Sequence, residues 1–284
     1  MAVFFNQASL SYDGNTVNSN IVSGEIVGVL TATKTAVSET YNGEDTITYV
    51  VSLLNSGSSQ LTGLTVTDNL GEYVQGGLTL TPLDYVEGSI LYYENGVLQA
   101  APTVIAGTDL VISGITVPAN GNTTLVYQAI ANGTAPLAVG STITNTVTVT
   151  GGGLVNPVTA EETITAQSGA RLSITKALSP TTVTENGEIS YTFVIENRGN
   201  TPIVATDNAV VTDTFDPILE NLQVTFNGEV WVEGTNYTYN EATGVFATVP
   251  GPITVPAATY TQNPTTGEYT VTPGVSVLTV TGNI

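Results

Sequence analysis

Thr46-Ile47-Thr48-Tyr49-Val50-Val51-Ser52-Leu53-Leu54-Asn55-Ser56-Gly57 and Glu188-Ile189-Ser190-Tyr191-Thr192-Phe193-Val194-Ile195-Glu196-Asn197-Arg198-Gly199 are two versions of one strand. Each alternates apolar and β-branched residues, carries Tyr at the same step and stops at Asn-x-Gly, the pattern of a half-buried strand ending in a turn. Working outward, Leu30-Thr31-Ala32-Thr33-Lys34 matches Leu172-Ser173-Ile174-Thr175-Lys176. On the other side, Leu64-Thr65-Val66-Thr67-Asp68-Asn69-Leu70 matches Val210-Val211-Thr212-Asp213-Thr214-Phe215 in its Val-Thr-Asp core. The order Lys, Tyr, Asn-x-Gly, Thr-Asp is kept, so one domain occurs twice, over 27–150 and 170–284, with 151–169 as a connector whose middle is read as one extended strand.

The rest of the chain reads as strand too, with Asn-Gly and Gly-Gly-Gly turns and no helical period. Many short strands predict an all-β, two-sheet sandwich for each copy. The chain has 284 residues, enough for two ordinary cores. Acidic residues outnumber basic ones 24 to 4, for a formal charge of −20. That excludes nucleic acid and anionic membrane as partners, which need clustered cations. Hydrophobic residues at 41% argue against disorder. With no Cys and no His, disulfides, thiolate chemistry, His-based triads and the usual zinc or haem sites are excluded. No cofactor is expected and no enzyme activity is read. No run is long enough to span a membrane, and Met1 to Asn6 does not resemble a conventional signal peptide.

The beginning of the chain, 1–26, stands outside both copies. Phe5-Asn6-Gln7-Ala8-Ser9-Leu10-Ser11-Tyr12-Asp13-Gly14 resembles Thr144-Asn145-Thr146-Val147-Thr148-Val149-Thr150-Gly151-Gly152, which closes the first domain. Past the turn, Thr16-Val17-Asn18-Ser19 sits against Leu154-Val155-Asn156-Pro157. The early copy has no domain before it to close. The second domain reads as one strand short, since Val275–Thr281 matches Thr123–Ala129 and nothing matches 141–150. A competing alignment exists: Ile253-Thr254-Val255-Pro256-Ala257 copies Ile115-Thr116-Val117-Pro118-Ala119, which leaves 275–281 as the last strand, with Thr279 where Asn145 stands. On the first alignment, strand 2–12 of one chain completes the second domain of another. The interface is then expected to use Phe4, Asn6, Ala8, Leu10 and Tyr12 against Val277 and Thr279.

The Thr-Lys start, the Tyr strand ending in Asn-x-Gly, the Val-Thr-Asp turn and the closing Asn-Thr-Val-Thr-Val resemble the bacterial and archaeal surface-protein repeat called domain of unknown function eleven. That resemblance covers both copies and implies two tandem Ig-like β-sandwiches in a cell-surface protein. A two-domain chain of this size without a signal peptide also resembles the appendage proteins of clostridial endospores. Such proteins are made and assembled in the mother cell and released by lysis. The resemblance implies an extracellular, spore-surface or cell-surface location and a self-assembling structural role.

Lys34 and Lys176 are the only lysines and hold the same repeat position. Strand alternation puts Leu30, Ala32 and Lys34 on one face, Val66 and Asp68 on another, and Ile143, Asn145 and Val147 on a third. Each polar residue thus lies on the apolar side of its strand, where charges are rarely buried unless paired. Two readings stand. One is a buried Lys–Asp ion pair with Asn filling spare hydrogen bonds. The other is an autocatalytic isopeptide bond, as in the Gram-positive pilins and adhesins that the trio resembles. Burial lowers a Lys pKa and raises an Asp pKa, so a neutral amine would attack the Asn amide with Asp as proton shuttle. The first trio is Lys34, Asp68 and Asn145; the second is Lys176 and Asp213 with Asn6 of a neighbouring chain. Weaker features are the acidic turns Gly43-Glu44-Asp45 and Ala160-Glu161-Glu162, read as solvated rather than calcium-binding. Trp231 and Tyr92, Tyr93, Tyr237 and Tyr239 are core or cross-strand residues, or else a sugar-binding face. The expected function is a filament subunit whose partner is itself. The alternatives are a monomeric surface spacer or adhesin module, and a carbohydrate-binding accessory domain.

Overall fold

The structure, a computed structural model, describes residues 2–284; Met1, counted with the N-terminal extension, lies outside them. The chain forms two compact units, one running up to Pro136 with Thr142–Thr165, the other Leu137–Ser141 with Ala166–Ile284. Among the described residues the regular structure is strand, apart from one 3-10 turn at Ala205–Asp207.

The N-terminal extension is not a single extended strand but a ribbon folded on itself. β1 (Ala2–Asn6) pairs antiparallel with β4 (Val22–Ile26), and Asn6 stands opposite Val22. β2 (Ser9–Tyr12) pairs with β3 (Asn15–Asn18), and Tyr12 faces Asn15 across an Asp13-Gly14 turn with φ of 45° and 79°. Positive φ at both central residues is what a two-residue hairpin requires, and Asp-Gly supplies it. Ser19 staples the middle. Its amide donates to Ala8 O at 2.8 Å, its Oγ accepts from Ala8 N at 2.9 Å, and its carbonyl accepts from Gln7 Nε2 at 2.7 Å.

The first sandwich contains β5 (Leu30–Ala36), β6 (Thr40–Tyr41), β7 (Thr46–Asn55), β8 (Leu61–Asp68), β9 (Tyr73–Gln75), β10 (Leu78–Leu80) and β11 (Leu83–Tyr85). It continues with β12 (Leu91–Glu94), β13 (Val97–Leu98), β14 (Thr103–Ala106), β15 (Leu110–Val117), β16 (Gly121–Ala131), β17 (Thr142–Gly151) and β18 (Val158–Ala166). One sheet has the order β13-β12-β16-β7-β5, with β11 also on β16; the other runs β14-β15-β8-β17-β18-β6. Alternation along β7 sends Ile47, Tyr49, Val51 and Leu53 inward, where they are buried with Leu64, Val66, Ile112, Val147 and Val149 of the facing sheet. The stretch 151–169, expected as connector, supplies β18. It pairs with β17 from Thr142–Thr165 to Val149–Val158, so the sandwich extends beyond residue 150. The extended strand expected in the middle of that stretch is present, but its place in the first sandwich was hidden, because β18 buries few of its side chains.

The second sandwich contains β19 (Leu172–Ser179), β20 (Glu188–Asn197), β21 (Thr212–Thr214), β22 (Glu220–Phe226), β23 (Glu229–Trp231) and β24 (Tyr237–Asn240). β25 (Val245–Thr248), β26 (Thr259–Gln262), β27 (Tyr269–Thr272) and β28 (Gly274–Asn283) follow. Its larger sheet, β19-β20-β28-β22-β23, retraces β5-β7-β16-β12-β13, and its smaller sheet, β21-β25-β24, retraces β8-β15-β14. Among the described residues of this unit no strand takes the places of β17 and β18, and β21 carries no strand on the edge away from β25.

Both halves of the sequence ambiguity find a place here. Pro256 O accepts from Asn197 Nδ2 at 3.1 Å as Pro118 O accepts from Asn55 Nδ2 at 3.1 Å. Ile253–Ala257 therefore stands where Ile115–Ala119 stands, the β26–β27 hairpin fills the following interval, and β28 occupies the position of β16. The expectation that Val277 and Thr279 meet a donated strand is corrected by this topology. β28 is paired on both edges, with Thr279 opposite Thr192 of β20 and Thr225 of β22. The closing strand of a sandwich of this kind joins the other sheet, so the free edge belongs to β21.

Candidate functional site

In the first unit, β5 brings Lys34 in from one sheet, while β8 and β17 bring Asp68 and Asn145 from the other. The three are 3%, 0% and 0% exposed. Lys34 Nζ donates to Asp68 Oδ2 at 2.6 Å. Tyr127, on β16, donates its hydroxyl to the same Oδ2, and Leu70 N donates to Oδ1 at 2.8 Å. The ammonium also lies 4.8 Å from the centre of the Tyr49 ring. Burial lowers the Lys34 pKa from 10.5 to about 8 against the opposing pull of Asp68 and, more weakly, Glu162. Burial raises the Tyr49 and Tyr127 pKa values.

Asn145 is held by one end. Its Oδ1 accepts from Gly71 N at 3.2 Å, and Asn69 Oδ1 locks the same turn by accepting from Thr146 N at 2.9 Å. Gly71 has φ of +76°, and a Cβ there would stand 2.5 Å from Ile143 Cγ2, so only glycine permits this approach. Asn145 lies near enough to Tyr49 to favour its phenolate against burial, yet neither Tyr49 Oη nor Asn145 Nδ2 completes a hydrogen bond of normal geometry. A buried amide nitrogen without an acceptor is costly, and it is unusual in a site otherwise so well satisfied.

In the second unit, Lys176 of β19 and Asp213 of β21 form the corresponding ion pair. Lys176 again sits on an aromatic floor, 4.4 Å from the Tyr191 ring centre and 5.3 Å from that of Phe215. The surroundings differ. The two side chains are 39% and 18% exposed, against 0% for both partners in the first unit. Val280 faces Tyr191 where Tyr127 faces Tyr49, so the phenol that Tyr127 brings to Asp68 has no counterpart at Asp213. Among the described residues no strand lies along the other edge of β21 to bring an Asn beside the pair as β17 brings Asn145. Asn6 is exposed on its hairpin, as are Phe4, Ala8, Leu10 and Tyr12.

Sequence reasoning missed Tyr127 and Tyr49 as members of the site. The signal was present in the matched strands, where Tyr49 recurs as Tyr191 and Tyr127 shares the inward face of Leu125 and Ala129. Three of the aromatics read as core or cross-strand residues, or else as a sugar-binding face, pack against other rings. Trp231 packs on Phe226 with centroids 4.9 Å apart, Tyr237 on Phe246 at 5.4 Å, and Tyr239 against Phe215 at 6.2 Å. Tyr92 is buried and donates to Glu94. Asp45 accepts from Asn42 N at 2.8 Å within its own turn. Among the described residues no group of three metal-ligating side chains gathers. Nor is any helix among them long and apolar enough to cross a membrane.

No protein-family model and no curated protein matches the sequence. Among solved structures, the chain is similar to the pilus backbone RrgB of Streptococcus pneumoniae at 13% identity and TM-score 0.35, covering 87% of this chain and 55% of that one. It is similar to the major pilin SpaA of Corynebacterium diphtheriae at 10% identity and TM-score 0.34, covering 91% and 72%. It is likewise similar to red sea bream transglutaminase at 11% identity and TM-score 0.29, covering 87% and 31%. The chain thus spans about half the length of the pneumococcal pilus backbone.

Proposed function

We propose that the protein is a non-enzymatic structural subunit of an extracellular or spore-surface filament, growing head to tail by insertion of the N-terminal segment into the second sandwich of the next copy. The observation that carries this reading is the contrast between the two sandwiches. One has its second sheet completed by a strand bearing Asn145; the other offers an open β21 edge while an Asn-bearing segment of similar sequence stands exposed at the other end of the chain. Insertion satisfies the backbone groups of β21 and covers apolar side chains, each large one such as Phe4 or Leu10 contributing about 1.5–3 kcal/mol.

Covalent sealing fits the same groups. Lys34 passes a proton to Asp68, and the neutral amine attacks Cγ of Asn145. The Nζ–Cγ bond forms, the Cγ–Nδ2 bond breaks, and Nδ2, which already carries two hydrogens, leaves as ammonia after gaining the one proton that the attacking nitrogen gives up, while Asp68 keeps the proton it took from Lys34. Nothing is oxidised or reduced. The low Lys34 pKa and the unbonded Nδ2 support this chemistry in the first unit. In the second, Lys176 and Asp213 await an Asn, which Asn6 of the neighbour would supply.

The test is denaturing electrophoresis with intact mass, on the full chain and on a chain lacking residues 1–26. A boiling-resistant ladder that vanishes with the truncation is expected, together with a deficit of one ammonia per bond that is absent in Lys34→Ala and Lys176→Ala at their respective sites. Filaments that boil down to full-mass monomers leave strand donation and remove the bond. A full-length chain that stays monomeric at all concentrations removes the filament reading.

A further inference from the structure

We infer that the element donated to the neighbouring copy is the whole hairpin β1–β4, delivered already folded, and not the single strand 2–12. This rests on the filament reading above and says what enters the acceptor.

The first sandwich is the template. There the second sheet is completed by two strands, since β17 lies along β8 and β18 lies between β17 and β6. In the second sandwich the counterpart of β6 is Thr182–Val183, matched to Thr40–Tyr41 by counting back eight residues from the aligned Tyr49 and Tyr191, and it forms no strand. Tyr41 is fully buried beneath β18's side of the sheet, whereas Val183 is only half-buried. The vacancy between β21 and Thr182–Val183 therefore corresponds to two strands.

The donor is built to match. Within the single chain it is already a closed hairpin, with its own register, turn and Ser19 staple. Its second strand is as apolar as its first: Val17, Ile21, Val22 and Ile26 are exposed along with Phe4, Leu10 and Tyr12. Donation of 2–12 alone would break the pairing to β3 and β4 and leave that second strand uncovered. A lone two-stranded ribbon is marginal in water, so an apolar one calls for a sheet to join.

Chain order gives the same answer independently. Hairpin β17–β18 precedes the second sandwich, entering β19 at Leu172, and closes the sandwich before it. Hairpin β1–β4 precedes the first sandwich, entering β5 at Leu30. By the same rule it closes the sandwich before it, which in a filament is the second sandwich of another copy. The chain is then a repeat of hairpin and sandwich in which the joint inside one chain is the pattern for the joint between chains.

The chain has no cysteine, so an engineered disulfide is unambiguous. Ser11 Oγ and Thr16 Oγ1 stand 3.0 Å apart across the hairpin, on the face away from Leu10. The Ser11→Cys, Thr16→Cys variant, oxidised, is locked as a hairpin; reduced, it can open. Assembly is followed by light scattering and electron microscopy. Equal assembly in both redox states is expected. Assembly only when reduced overturns the inference and leaves single-strand donation, with the filament reading intact. A wild-type chain that never assembles fails the filament reading itself. Hydrogen exchange on wild-type filaments decides the matter without substitution: amides of both 2–12 and 15–26 are expected to slow by about tenfold or more relative to the monomer. Protection confined to 2–12 would overturn the proposal.

Discussion

The Lys34 and Lys176 sites share a lysine, an aspartate and an aromatic floor, and differ in what covers them. Around Lys34 the β17–β18 hairpin completes the sheet, and the pair is dry, hydrogen-bonded on both carboxylate oxygens and backed by Tyr127. Around Lys176 the same pair stands at an open edge with Lys176 more than a third exposed. One ion pair is thus a buried structural element and the other a partly solvated one, although their local sequences match. An ion pair takes its energetic weight from desolvation, and desolvation is set here by a hairpin distant in sequence.

That contrast can be broken by removing each half of a pair. Asp68→Ala leaves Lys34 as an uncompensated buried charge and should destabilise the first unit by about 3–5 kcal/mol, read from its denaturant transition. A loss under 1 kcal/mol would mean that the site is wetter than its burial indicates. The pH response sharpens the same point. In Asn145→Ala, where no amide bond can form, Lys34 keeps its titration. Its folded pKa of about 8 lies below the usual 10.5, so between these values the unfolded chain holds more protons. Stability of the first unit should therefore rise from pH 8 towards 10, by about 2 kcal/mol or somewhat more. Above pH 10 the raised pKa values of Tyr49 and Tyr127 act in the opposite direction, since only the unfolded tyrosines ionise there. If the wild-type chain carries the Lys34–Asn145 bond, it should lack the rise, because an amide does not titrate.

Smaller effects probe the periphery of each site. Tyr127→Phe removes a hydroxyl that donates to Asp68 and should cost the first unit about 1–3 kcal/mol in the same denaturant measurement. Asp213→Ala in the unassembled chain should cost at most about 1 kcal/mol, because the pair it disrupts is solvent-screened. A cost equal to that of Asp68→Ala would place both sites in the same environment and remove the contrast.

The repeat, its strands and the pairing of Lys with Asp were readable because each rests on local alternation, and a side chain on the inward face of a strand stays there in any sandwich. The register of β17 was readable for the same reason, through Asn145. β18 was readable only as an extended strand within the connector, since its Thr and Glu side chains give no apolar stripe and only its backbone commits it to the sheet. The role of Tyr127 was also hidden, because β16 and β8 belong to different sheets and only packing brings the phenol over Asp68.

The sequence by itself determined two copies of an all-β domain, a matched lysine and aspartate in each, and an Asn-bearing N-terminal segment resembling the first domain's closing strand. Those are properties of period and repetition, which need no partner strand to be expressed. Only the tertiary structure decided that β28 is an interior strand, that the open edge is β21, that the N-terminal segment is a hairpin, and that Lys34 is buried while Lys176 is not. These depend on which strands become neighbours. Sheet order is set by long-range packing and hydrogen bonding between segments that local alternation leaves interchangeable.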